Sequence, residues 1–174
     1  MTAPIASRRR AVLRRLVALT ACAGLGACGP RPAPAASATA LEDFESPEAW
    51  SPTASDGVVA SADAVPGVAG DALRLSFDFQ GHSGHAGLRR SLPVTLPENY
   101  EISFFMRGDA PANDLQFKLL DASGDNVWWF RKRALAVSGS WQRVSFKKRQ
   151  LEFAWGPTHE RELREAAALE LVLA

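Results

Sequence analysis

From Leu41 onward the apolar positions recur every second residue in short runs, and Gly, Pro, Asp and Asn break the runs apart. Alternation of period two buries one face of an extended strand and wets the other, whereas a helix repeats its apolar positions at three and four. The clearest run is 72–79, where Leu73, Leu75, Phe77 and Phe79 alternate with Arg74, Ser76 and Asp78. Ile102, Phe104 and Met106 likewise oppose Ser103, Phe105 and Arg107, and Leu115, Phe117 and Leu119 oppose Gln116, Lys118 and Leu120. The pattern predicts strands over 42–45, 57–61, 72–79, 86–92, 100–107, 115–121, 126–133, 142–147 and 168–173. So many closely spaced strands imply an all-β fold, an antiparallel jelly-roll β-sandwich.

Asp121-Ala-Ser-Gly-Asp125 between two long strands has hairpin chemistry, with Gly124 free to take a positive φ and Asp side chains able to bond locally. It lacks the acidic spacing of an EF-hand loop. One short helix is predicted within 156–168, with Thr158 as its N-cap and Glu160 and Glu162 at the positive end of its dipole. The alternation of Leu169-Glu170-Leu171-Val172-Leu173 then runs almost to the last residue, Ala174. An apolar final strand with nothing after it would leave an unpaired edge. The expectation is a sandwich that lacks its last strand, the product being C-terminally truncated.

The first 28 residues follow a different grammar. Five arginines (Arg8, Arg9, Arg10, Arg14, Arg15) and no acid precede an apolar run from Leu16 to Ala27. That run is too short for a permanent membrane-spanning helix and reads as an export signal. Leu25-Gly26-Ala27-Cys28 resembles a bacterial lipobox, in which the cysteine thiol is acylated and becomes the mature N-terminus. Leu19-Thr20-Ala21-Cys22 fits the same pattern, but cutting there leaves a shorter apolar core. Cys28 is the better lipidation site, because the Pro/Ala-rich linker 29–40 starts directly after it; an ordinary cleaved signal is the alternative. Arg9-Arg10-Ala11-Val12-Leu13 also resembles a twin-arginine signal, so the export route stays open. The domain proper is 41–174.

Charge and cysteine content narrow the function. Of 20 basic residues five lie in the leader, which leaves 15 against 19 acidic side chains, about −4. Such a domain has no electrostatic footprint for nucleic acid. Both cysteines, Cys22 and Cys28, precede the domain, so it has no thiol for a disulfide or a nucleophile. His159-Glu160-Arg161-Glu162-Leu163 begins like a zinc-protease helix but has Leu163 where the second histidine belongs. Gly81-His82-Ser83-Gly84-His85 departs from a nucleophile elbow at His85, and two loop histidines without a third ligand make a poor metal site. No catalytic set emerges, and the expectation is a protein that is not an enzyme, unless it is a piece of a larger glycoside hydrolase.

What the sequence does offer is Val127-Trp128-Trp129-Phe130-Arg131-Lys132-Arg133. Adjacent tryptophans on a strand point to opposite faces. Trp128 and Phe130 share a parity as a core pair, which puts Trp129, Arg131 and Arg133 on the other, exposed face. A sugar ring presents C–H bonds that stack on an aromatic plane and hydroxyls that bond to planar donors. Trp129, Arg131, Gln116, Lys118 and Arg107 are the candidate carbohydrate-binding patch. The competing reading covers Trp129 with a loop or partner domain. Trp155 is expected to pack in a loop, Trp141 at a core edge and Trp50 at one end of the sandwich.

Leu41-Glu-Asp-Phe-Glu45, Gly70-Asp-Ala-Leu-Arg-Leu-Ser76, the run from Leu115 to Trp129 and Trp141-Gln-Arg-Val144 resemble the galactose-binding-like (discoidin, factor five/eight type C-like) jelly-roll modules. These modules precede catalytic domains in bacterial carbohydrate-active enzymes. The resemblance implies a non-catalytic carbohydrate-binding role. It also implies a structural calcium, to which Glu45 would contribute by matching the opening Asp-Phe-Glu. Members close with a Gly-rich turn and a strand ending in Asp, which this sequence does not contain. Together these readings describe a lipid-anchored carbohydrate-binding module of an exported bacterial protein, facing the periplasm or cell surface. Its partners would be a polysaccharide or oligosaccharide and a glycoside hydrolase domain; the alternative is a structural jelly roll that packs on a partner and binds no sugar.

Overall fold

Alternation along each strand becomes two facing sheets. The computed structural model describes residues 9–20, 38–67 and 70–174. The strands are β1 (Arg9–Thr20), β2 (Ala38–Glu42), β3 (Ser51–Ala54), β4 (Val59–Pro66), β5 (Asp71–Asp78), β6 (Ala86–Thr95), β7 (Tyr100–Asp109), β8 (Asn113–Leu120), β9 (Val127–Leu135), β10 (Gln142–Lys147), β11 (Glu152–Trp155) and β12 (Glu165–Leu173). One sheet runs β10-β7-β1-β5-β4 with β2 paired to β1, and the other runs β11-β9-β8-β12-β6-β3. Every pairing is antiparallel. This is the all-β antiparallel jelly-roll sandwich that the periodicity predicts.

The core is the set of inward positions read from the sequence. Leu73, Leu75 and Phe77 on β5 and Ile102, Phe104 and Met106 on β7 are buried, as are Phe117, Leu119, Trp128 and Phe130 in the other sheet. Phe130 stacks on Phe146 at 4.3 Å, and Phe146 meets Phe117 edge-on at 4.9 Å, so the two layers are joined through aromatics. Burial of each such side chain contributes roughly 2–3 kcal/mol before entropy is counted. Phe105, of the opposite parity, is exposed.

Five of the sequence readings differ in the structure. The strand 42–45 ends at Glu42, because Glu42 Oε1 accepts the Phe44 N–H at 2.7 Å and Phe44 takes φ 65°. That turn drives Phe44 into the core, stacked on Trp50 at 5.3 Å. The helix predicted over 156–168 does not form. Although Thr158 Oγ1 accepts the Glu160 N–H at 3.1 Å as an N-cap would, the next carbonyls serve tertiary partners. Arg161 C=O accepts the Trp128 indole N–H at 2.9 Å and Arg164 C=O accepts the Leu96 N–H at 2.8 Å. Leu163, Ala166 and Ala168 then bury themselves, and strand β12 starts at Glu165.

The final strand is not an edge. β12 lies between β6 and β8, paired along both sides, so the unpaired border expected at 168–173 is absent. β2 begins at Ala38, inside the stretch expected to be linker. Finally, Arg9–Thr20, part of the segment that reads as an export leader, forms β1 between β5 and β7. The lipidation candidate Cys28 lies outside the described residues.

Candidate functional site

The outward positions of the second sheet form one row across all six strands. Ser51, Arg89, Glu170, Lys118, Trp129 and Glu152 stand side by side in register from β3 to β11. Each occupies the parity opposite to a buried or half-buried neighbour, as the alternation demands. Gln116 lies two residues along β8, facing Arg131.

Two aromatics define one end of this face. Trp129 on β9 and Trp155 at the end of β11 meet edge to face, centroids 5.5 Å apart and planes at 89°. Trp155 is 46% exposed, whereas Trp129 is half-buried. Arg131 lies over Trp129 with Cζ 4.9 Å from the ring centre. Lys118 Nζ lies 5.3 Å from the Trp155 ring. Both are cation–π arrangements on indole faces.

Lys118 is the floor between these rings and the charged row. Its Nζ is 3.8 Å from Glu170 Oε2, and Glu170 Oε1 accepts a hydrogen bond from Arg89 Nη1 at 3.1 Å. Burial pulls the Lys118 ammonium below its ordinary pKa, and the Glu170 carboxylate only partly opposes that. Beyond Trp129, Arg131, Arg133, Arg149, Gln150 and Glu152 border a groove of about 430 Å³.

The Trp155 end is held by the β8–β9 hairpin. Asp121 Oδ1 accepts from the Ser123 and Gly124 N–H groups, and Gly124 takes φ 78° as read from the sequence. Buried Asn126 donates Nδ2–H to Asp121 Oδ2 at 2.7 Å. Its Oδ1 accepts the Thr158 N–H at 2.8 Å, which ties the hairpin to the turn after Trp155. Gly156 in that turn has φ 135°, and a Cβ there would fall 2.4 Å from Asn126 Oδ1. Only glycine fits.

The structure therefore gathers Trp129, Arg131, Gln116 and Lys118 on one face and sends Arg107 elsewhere. Arg107 belongs to β7 in the other sheet, where its Cζ sits 4.9 Å from the Trp141 ring. Grouping it with Trp129 assumed that β7 neighbours β9, and the topology separates them. Trp155 is a partner of Trp129, not loop packing, while Trp50 is buried against Phe44. Sequence reasoning passed over Glu152, Arg149, Gln150 and Glu170; the alternation Leu169-Glu170-Leu171 does mark Glu170 as outward.

Glu45 meets the first residue of β5. Its Oε1 accepts the Asp71 N–H at 3.0 Å, and among the described residues no three His, Cys, Asp or Glu side chains converge. His85 Nδ1 is bonded to Ser55 Oγ at 2.7 Å, a local tether of its loop.

Among solved structures, two are similar to this fold. One is the family 11 carbohydrate-binding module from Clostridium thermocellum in complex with a β-1,3-1,4-mixed-linked tetrasaccharide. It aligns at TM-score 0.62 and 19% identity over 77% of this chain and 84% of that one. The other is the family 11 carbohydrate-binding module of the cellulosomal cellulase Lic26A-Cel5E of Clostridium thermocellum, at TM-score 0.57 and 17% identity over 72% and 78%. No protein-family profile and no curated protein matches the chain. The likeness is one of fold: this chain has a jelly roll similar to that of these two modules.

Proposed function

We propose that this protein is a non-catalytic carbohydrate-binding module whose ligand lies on the outer face of the second sheet, against Trp155 and Trp129. The observation that carries this reading is the exposed indole of Trp155, set edge to face with Trp129 and close to Lys118, while Arg131 lies over Trp129 and Gln150 borders the groove beside it. Trp155 is 46% exposed, and that open indole surface is the platform for a sugar's C–H bonds. Arg131, Gln116 and Gln150 then supply donors to hydroxyls. The solved relatives of this fold are carbohydrate-binding modules, one of them holding a tetrasaccharide.

Export, anchoring through a lipid on Cys28, and action beside a glycoside hydrolase complete the proposal; they rest on the leader grammar of residues 1–28 and on the use such modules have, and the pairing of Arg9–Thr20 as β1 stands against removal of the leader. The test is tryptophan fluorescence of the full chain titrated with a panel of plant and bacterial polysaccharides, with Trp129→Ala and Trp155→Ala as controls. A saturable change that weakens in both variants supports the reading. No response from a folded chain to any glycan favours the structural alternative, in which this face packs on a partner domain.

A further inference from the structure

The groove beside Trp129 carries more positive charge than a neutral sugar needs. It is bordered by three guanidinium groups, Arg131, Arg133 and Arg149, and by a single carboxylate, Glu152. All three arginines are exposed, and among the described residues none is in an ion pair within 4 Å or donates a side-chain hydrogen bond. The neighbouring charges on the same sheet behave differently: Glu170 is shared between Arg89 and Lys118. The domain as a whole is slightly acidic, with 15 basic against 19 acidic side chains after the leader, so this concentration runs against its average.

Guanidinium is the side chain suited to planar, bidentate recognition of a carboxylate, and clustered charges with low-dielectric walls attract an anionic chain before contact. The groove is bordered by Trp129, the inner ring of the tryptophan pair, and so lies beside a polymer stacked on that pair. We infer that the ligand is an acidic glycan, a polysaccharide containing uronic acid units, whose pyranose ring stacks on the indole pair while its carboxylate is held by Arg131, Arg133 and Arg149. The inference rests on the carbohydrate-binding reading and narrows it.

The test uses the full chain and three polymers in low salt: polygalacturonate, the same polymer with its carboxylates methyl-esterified, and a neutral mixed-linked β-glucan, with a sulfated glucan as a fourth arm. Polygalacturonate is expected to bind at least tenfold more tightly than its ester and to weaken as salt rises. Arg133→Gln with Arg149→Gln should abolish that preference while leaving the weak affinity for the ester. Arg133→Lys with Arg149→Lys keeps the charge but loses the planar fork, and should also forfeit most of the preference. Equal binding of the acid and its ester, or binding of the neutral glucan alone, overturns the acidic ligand while the carbohydrate reading stands. Preference for the sulfated polymer over polygalacturonate overturns carboxylate recognition. Binding to none of the four by a folded chain overturns both.

Discussion

Trp155 reaches across from β11 to meet Trp129 on β9 edge-on at 5.5 Å, the two planes almost perpendicular at 89°. The geometry puts the hydrogen-bearing edge of one ring against the π-face of the other, a preferred aromatic arrangement. It also leaves Trp155 46% exposed, a large apolar surface with no covering element among the described residues. Trp155→Ala should therefore cost little stability, on the order of 1 kcal/mol, the worth of the aromatic contact itself. The same change should remove most of the glycan-induced fluorescence response. Trp128→Ala, one position from Trp129 but buried in the core, should cost roughly 3–5 kcal/mol. Urea unfolding of both variants beside a polysaccharide titration separates the roles; an equal loss of stability in the two would contradict them.

Asn126 offers a test of how that tryptophan is held. Its amide bridges Asp121 on one side and the Thr158 N–H on the other, inside a buried setting. Asn126→Ala would leave the half-buried Thr158 N–H without its acceptor, costing about 1 kcal/mol. Because the Thr158 turn fixes the backbone beside Trp155, glycan affinity should fall as well, although Asn126 does not face the groove. A variant that loses stability yet binds polysaccharide as tightly as the parent would show that Trp155 is positioned by β11 alone.

Much of this was legible before the structure, and the limits have physical causes. The period-two runs gave the inward faces of β5, β7, β8 and β9, because burial on one side forces that pattern whatever the neighbours are. The same parity placed Trp129 and Arg131 together, since both lie on one strand. Arg107 went astray because parity says which face of a sheet a residue takes and nothing about which sheet the strand joins. Trp155 was hidden by the shortness of β11, four residues beside a Gly-Pro turn. The helix at 156–168 was favoured by local propensity, and long-range demands on the Arg161 and Arg164 carbonyls overrode it.

The hairpin that supports the site should be acid-sensitive. Desolvation works to raise the Asp121 pKa, but hydrogen bonds from Ser123, Asn126 and Gly124 outweigh it and hold the carboxyl below its ordinary value. For a carboxylate depressed in the folded state, the stabilisation is fully present above the unfolded pKa, about 4, and is lost as pH falls through the folded value. Asp121→Asn should thus be less stable than the parent at neutral pH by no more than about 1 kcal/mol, since solvent screens an exposed site. The gap should close below about pH 4. Thermal melts of the two proteins from pH 7 down to pH 2 would show it; a gap that stays constant throughout would assign the loss to something other than ionisation.

The last prediction concerns β1, where the leader-like sequence and the fold make opposing claims. Residues Arg9–Thr20 pair with β5 from Arg9 to Leu13 and with β7 from Arg10 to Thr20, joining two strands that otherwise share no neighbour. Removing them leaves two rows of unpaired N–H and C=O groups in the middle of a sheet, which costs stability and invites pairing with another chain. A chain shortened to begin at residue 28 should melt at least about 10 °C lower than the full chain, since about 1 kcal/mol moves the midpoint of a domain this size by 2–4 °C. It should also self-associate on a sizing column. A synthetic peptide of residues 9–20 added in excess should restore much of the loss, because the slot between β5 and β7 is shaped for an antiparallel strand. If instead the shortened chain unfolds cooperatively at the same temperature as the full one and ignores the peptide, β1 contributes nothing to the working domain, and residues 1–27 act as a leader alone.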